Sequence, residues 1–141
     1  MLRIPTDLEM LNAIYERYYG NFALDSVTEP TRDTKIYVPI DCRAIAQQLG
    51  VDGDIVFGRL YYDLEKRYGY KQSDNSWVHF FALKVGSNRH AIHFPYLASV
   101  VAQLRAERRR NLTATVIAII SLIIACCSLA VAFYRALEGA T

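Results

Sequence analysis

AIAQQLGVDGDIVFGRLYYDL, residues 44–64, reads as two helices joined by a tight turn. Asp41 stands where an N-cap belongs, and the helix CRAIAQQL that follows it stops at Gly50. Gly50 is placed to take a positive φ at no steric cost, which keeps the turn short. Asp52-Gly53-Asp54 then opens a third helix. Val56, Phe57, Leu60, Tyr61, Leu64 and Tyr68 recur on one face of it, and it ends at Gly69.

Upstream, Thr6-Asp7-Leu8-Glu9 supplies an N-cap and a capping-box glutamate. Apolar residues at Leu8, Leu11, Ile14, Tyr15, Tyr18 and Tyr19 predict a first helix that ends at Gly20. Residues 21–34 are polar, contain Pro30, and read as a loop. KIYVPI, Lys35 to Ile40, reads as a short strand, and Pro39 restricts it to an edge or terminal position. Downstream, WVHFFALKV (Trp77 to Val85) and HAIHF (His90 to Phe94) read as two strands around the turn residues Gly86-Ser87-Asn88-Arg89. Pro95 suits the first position of a further helix, PYLASVVAQLRAERRRN.

The order helix-strand-helix-helix-strand-strand makes the fold class α+β. Over residues 6–94 it resembles the winged helix-turn-helix domain of bacterial regulators. The most similar part is residues 44–64, with an alanine inside the second helix, a glycine after its last leucine, and leucines four residues apart in the third. The resemblance implies that Asp54, Ile55, Gly58, Arg59, Tyr62, Asp63, Lys66 and Arg67 lie on or near the recognition helix, with Lys84, Asn88 and Arg89 in the wing. Arg59, Tyr62, Lys66, Arg67, Tyr70, Lys84, Asn88 and Arg89 are the candidate surface for a partner or for DNA. Arg59 or Arg67 would read a guanine edge, and the wing would contact phosphates.

The charge pattern departs from that expectation. Residues 1–104 hold 11 Lys+Arg and 12 Asp+Glu, and residues 52–71 hold four of each. Phosphate neutralisation supplies much of DNA affinity, so a neutral recognition helix carrying Asp54 and Asp63 is a poor start. The head is rich in tyrosine, which buries much area at low entropic cost and suits protein interfaces. Tyr19, Tyr62 and Tyr70 fall off the apolar faces and are expected to be exposed.

Residues 112–134, LTATVIAIISLIIACCSLAVAFY, carry no charge over 23 positions. At about 1.5 Å per residue that spans the roughly 30 Å hydrocarbon core of a bilayer. Arg105, Arg108, Arg109 and Arg110 precede the span and Arg135 follows it. The positive-inside rule therefore predicts a cytoplasmic head, and the basic cluster sets topology and attracts anionic lipid. The expected layout has four parts: a head (1–94), a connecting helix with the basic cluster (95–111), a transmembrane helix (112–134) and a short far-side tail (135–141). That is a tail-anchored, single-pass protein of a bacterial inner membrane, with no leader sequence expected. Ala114, Ala118, Ser121, Ala125, Ser128 and Ala132 repeat at spacings of four and three along the span. Such a small-residue heptad face lets helix backbones approach, with serine hydroxyls bonding across, and predicts a homo-oligomer.

At 141 residues and 21% charged, the chain is one small domain plus attachments. Cys42, Cys126 and Cys127 form no disulfide framework. His79, His90 and His93 lack a carboxylate at ligand spacing, and His90 and His93 would face opposite sides of a strand. No phosphate loop, nucleophile elbow or paired-carboxylate motif occurs, so no catalytic residue, metal or cofactor is expected. The leading expectation is a non-enzymatic adaptor or effector whose head binds a cytoplasmic protein and whose span self-associates. Its layout is similar to that of small membrane-acting effectors in bacterial toxin and phage-defence systems. The alternative is a membrane-tethered DNA-binding regulator. A structural subunit of a membrane complex is a third class.

Overall fold

The computed structural model describes residues 3–24 and 34–139. The elements run α1 (Asp7–Leu24), β1 (Tyr37–Pro39), α2 (Cys42–Leu49), α3 (Gly53–Gly58), a π-helical segment (Arg59–Leu64), α4 (Glu65–Tyr68), β2 (Tyr70–Lys71), β3 (Trp77–Val78), β4 (Phe81–Val85), β5 (Asn88–His93) and α5 (Phe94–Glu138). The architecture is α+β, with small sheets and one long apolar helix at the C-terminal end. The chain divides into two compact units, Met1–Gln103 and Leu104–Thr141.

Local capping explains the helix starts in the first unit. Glu9 Oε2 accepts from the Thr6 amide (2.8 Å) while the Glu9 amide donates to Thr6 Oγ1 (3.2 Å), which closes the expected capping box. Asp41 accepts from the amides of Arg43 and Ala44, and Asp52 accepts from that of Asp54. Gly50 has φ 68° and ends α2, as its position predicts.

α1 does not stop at Gly20. It continues to Leu24, and residues 21–24 of the expected loop are helical. Glycine inside a helix costs about 1 kcal/mol. Phe22, on the added turn and half-buried, stacks on the buried Phe94 (4.9 Å) beside Tyr15 (5.5 Å), and this aromatic contact offsets that penalty. The rest of the expected loop, residues 25–33 with Pro30, lies outside the described residues.

β1, β5 and β4 form an antiparallel sheet in that order. Pro39 sits on the edge strand β1, where it removes no ladder bond on its outer side. α3, the π segment and α4 follow one another with helical dihedrals at every junction, so the third helix is continuous. Met10, Leu11, Ile14, Ile45, Leu60, Leu64, Ile92 and Leu97 are all fully buried and make the core between these helices and the sheet. The third helix buries Val56, Leu60 and Leu64 of its expected face.

The expected strand Trp77 to Val85 is broken. Trp77–Val78 pairs with β2 in a separate two-stranded sheet, and β4 begins only at Phe81. Successive amides of a straight strand point opposite ways. Here the amides of Phe80 and Phe81 both donate to Glu65 Oε2 (2.7 and 2.8 Å), and the backbone bends between the two strands.

α5 is one unbroken helix of 45 residues. It begins at Phe94, one residue ahead of the expected start at Pro95, and it contains both the expected connector (95–111) and the expected span (112–134). It also runs on through residues 135–138 of the expected tail. Its first turns contribute Phe94, Leu97, Val100 and Val101 to the core of the first unit. Its apolar stretch is long and apolar enough to cross a membrane, and none of that stretch is buried. Leu129, for example, is 73% exposed. An apolar surface on every side of a helix is stable in hydrocarbon and not in water.

Candidate functional site

The third helix turns its outer side toward β3 and β4, and a groove of about 790 Å³ lies between them. Tyr61, Tyr62, Glu65 and Lys66 form one wall, and Trp77, His79, Leu83 and Lys84 are part of the other. The helix wall is the π-helical segment and the turn after it. Such wide turns are frequent at functional sites. Tyr61 stacks on Phe57 (5.6 Å), Phe57 meets Phe81 edge-on (6.0 Å), and Tyr62 meets Tyr61 edge-on (4.9 Å). Tyr61 is thereby tied to the sheet, while Tyr62 is left 72% exposed.

Glu65 holds the two walls together. Its Oε1 accepts from Trp77 Nε1 (3.2 Å) and lies 2.6 Å from His79 Nδ1. Its Oε2 accepts from the Phe80 and Phe81 amides. Gly69 makes the close packing possible, because a Cβ there would come within 2.7 Å of the Glu65 carbonyl oxygen and 2.8 Å of Oε1.

The eight candidate surface residues separate into three groups. Tyr62, Lys66 and Lys84 line the groove together. Asn88 and Arg89 stand opposite Val85 and Lys84 at the β4–β5 turn, and Tyr70 lies in β2, about half exposed, with its ring edge-on to Tyr96. Arg59 and Arg67 are bound elsewhere. Arg59 donates to the Pro5 carbonyl and to Asp7 Oδ1. Arg67 donates to Asp7 Oδ2 (2.7 Å) and, through two nitrogens, to Asp63 (3.0 and 2.6 Å). Asp63 and Asp7 raise the Arg67 pKa still further above its ordinary value. The expectation that either arginine is free to read a base is therefore corrected: both are paired with Asp7, Arg59 also with the Pro5 carbonyl and Arg67 also with Asp63. As expected, Tyr19, Tyr62 and Tyr70 are exposed.

Sequence reasoning missed Asp7, Glu65, Trp77 and Leu83. Trp77 did carry a signal, since it is the single tryptophan and stands at the start of a strand; it is 51% exposed. Glu65 and Asp7 gave no local signal, since their partners are 12 to 60 residues away.

The other polar groups have structural surroundings. A second cavity, about 540 Å³, is lined by Asp41, Cys42, Arg43, Gly53, Asp54, Phe57 and His90. Burial pushes the Cys42 thiol up to about 11, with Asp41 adding to the effect, so it is held in the protonated form at neutral pH. His90, in the left-handed region at φ 53°, packs against Phe57 and Phe81. His93 Nδ1 accepts from the Tyr96 amide (3.2 Å) in the first turn of α5. Among the described residues no three His, Cys, Asp or Glu side chains come together to hold a metal ion.

In the second unit Ala114, Ala118, Ser121, Ala125, Ser128 and Ala132 lie along α5. Ser121 and Ser128 donate to the carbonyls of Ile117 (2.9 Å) and Ile124 (2.8 Å). In the single chain their hydroxyl protons are used within the helix, and the hydroxyl oxygens keep lone pairs that can accept. Arg105, Arg108, Arg109 and Arg110 are exposed on the same helix.

No protein-family model matches this chain, and neither does any curated protein or solved structure.

Proposed function

We propose that the chain is a non-enzymatic, membrane-anchored adaptor or effector whose winged-helix head binds a protein partner through the groove between the third helix and β3–β4. The observation that carries this reading is the pairing of an exposed aromatic groove with the withdrawal of Arg59 and Arg67 onto Asp7. Exposed Tyr62 and Trp77 on a braced wall suit a protein interface. A recognition helix whose two arginines are paired with the chain's own carboxylates, Asp7 and Asp63, has less left for phosphate or guanine. The sheet order β1-β5-β4 behind the helices supports the winged-helix assignment.

The apolar part of α5 is the membrane span, and the four arginines before it favour a head in the cytoplasm of a bacterial cell, at the inner membrane. The small-residue face of the span gathers copies by close packing. Such clustering is how the chain would act on the membrane as an effector.

The test is a photo-crosslinking amino acid at Tyr62 and, as a control, at Gln48, in the full chain expressed in bacteria. A discrete protein adduct from position 62 and none from 48 is expected. The same chain in lipid nanodiscs should leave duplex DNA unbound from about 50 to 200 mM salt. Steeply salt-dependent DNA binding without a protein adduct would reverse the assignment in favour of a membrane-tethered regulator.

A further inference from the structure

We infer that the partner is gripped as an extended, acidic and apolar segment that adds a strand to the outer edge of β4. This rests on the reading of the groove as the protein-binding site and names what the groove takes.

The backbone pattern defines the edge. His93 donates to the Phe80 carbonyl (2.9 Å), whereas Ile40 donates to the His90 carbonyl (2.9 Å) and Phe94 to the Ile36 carbonyl (2.9 Å). Along β5, then, even-numbered residues bond to β1 and odd-numbered ones to β4. In the β4 register the partners of Ala91 and Arg89 are Ala82 and Lys84. Phe81, Leu83 and Val85 must therefore aim their amides and carbonyls away from β5. The Phe81 amide does so, because it meets Glu65. Beyond it, the Leu83 amide and carbonyl and the Val85 amide face outward, and β4 has no second neighbour strand among the described residues. Four consecutive residues, Phe81 to Lys84, line the groove, as expected where a strand presents its edge and not one face. An open edge is a template for an incoming strand.

The side chains select the chemistry of that strand. The charged groups on the groove walls are Lys66, Lys84 and Glu65. Glu65 is already matched by two backbone amides, Trp77 and His79. The two lysines leave the groove a net attraction for carboxylates, while Tyr62, Trp77 and Leu83 offer exposed apolar surface. A second copy of β4 would bring Lys84 against its own kind, and an edge lysine opposes such self-pairing. An acidic, apolar segment meets both features.

Trp77 is the only tryptophan, so its fluorescence reports on the groove directly. The full chain in phosphatidylcholine nanodiscs would be titrated with a short capped peptide alternating glutamate and valine. The expected result is a saturable shift of Trp77 emission, with at least tenfold weaker binding by the matching lysine–valine peptide. Lys84→Glu should reverse that preference, a gain of binding that a misfolded variant would not show. Two further peptides carry N-methyl groups on the valines or on the glutamates. Strand addition requires that one of the two loses binding while the other keeps it. Equal binding of both methylated peptides would overturn strand addition. Equal binding of the acidic and basic parents, or no binding of either, would overturn the assigned chemistry. A Tyr62 adduct in cells alongside a silent peptide titration would leave the protein-binding site standing and remove only this inference.

Discussion

Replacing the largely covered Glu65 with alanine should loosen the head. The carboxylate serves four donors, and these are not equal. Trp77 and His79 are exposed and can turn to water, so their loss contributes little. The amides of Phe80 and Phe81 are fixed in the backbone and partly buried beside two fully buried phenyl rings. Leaving such a donor without a partner costs about 1–3 kcal/mol. Two of them give about 3 kcal/mol, allowing for partial access of water. For a domain of about 100 residues each kcal/mol moves the midpoint by about 4–8 °C. Glu65→Ala should therefore lower Tm by about 15 °C. Glu65→Gln keeps one acceptor oxygen and should lose about half as much. The assay is near-ultraviolet circular dichroism on heating the full chain in detergent, followed in the tryptophan band, where Trp77 of the head is the sole source. A fall of less than about 4 °C for the alanine variant would refute the clamp. It would mean that water replaces the carboxylate freely and that the bend at His79–Phe80 has another cause.

Three further outcomes follow from the geometry. Gly20 is helical and exposed, with nothing within 4 Å of where a methyl group would stand, so Gly20→Ala should stabilise the head by about 0.5–1 kcal/mol in urea unfolding. Burial lowers the His93 pKa below its usual value of about 6.5, so the unfolded chain takes up the proton more readily than the folded one. That stability is present above about pH 6.5 and declines as pH falls from there through the folded pKa; Tm measured from pH 8 to pH 5 should fall, and His93→Gln should flatten the curve. Ala118→Leu with Ser121→Leu should block close approach of spans and reduce oligomer size in detergent by analytical ultracentrifugation, whereas an unchanged size would remove the small-face packing.

The parts of the fold that were legible are those with local causes. The capping box joins Thr6 to Glu9, Asp41 caps the helix that begins beside it, and Gly50 takes the left-handed turn between two adjacent helices. In each case the residue and its partner lie within a few positions, so the sequence displays both. The misreadings have distant causes. Gly20 fails to end α1 because Phe22 finds Phe94, and the strand from Trp77 breaks because a glutamate 15 residues earlier takes the Phe80 amide. Propensity ranks such alternatives within about 1 kcal/mol, and a single tertiary contact of that size decides between them.

The same distinction governs the candidate site. Counting charges along residues 52–71 correctly finds a neutral helix, but the count treats all four cations alike. Folding sorts them. Arg59 and Arg67 are closed off by Asp7, which lies 52 and 60 residues away, and Arg67 also by Asp63 one turn back. Lys66 keeps to the groove, whose other wall carries Lys84. A duplex needs many cations spread along a surface, because its affinity scales with the number of phosphates neutralised. Two lysines across one groove suffice for the few carboxylates of a short segment, whereas a duplex would also have to draw on the exposed Lys71 and Arg89 outside it. The assignment of the groove to a protein strand thus depends less on how much charge the head carries than on which cations its first helix has already taken.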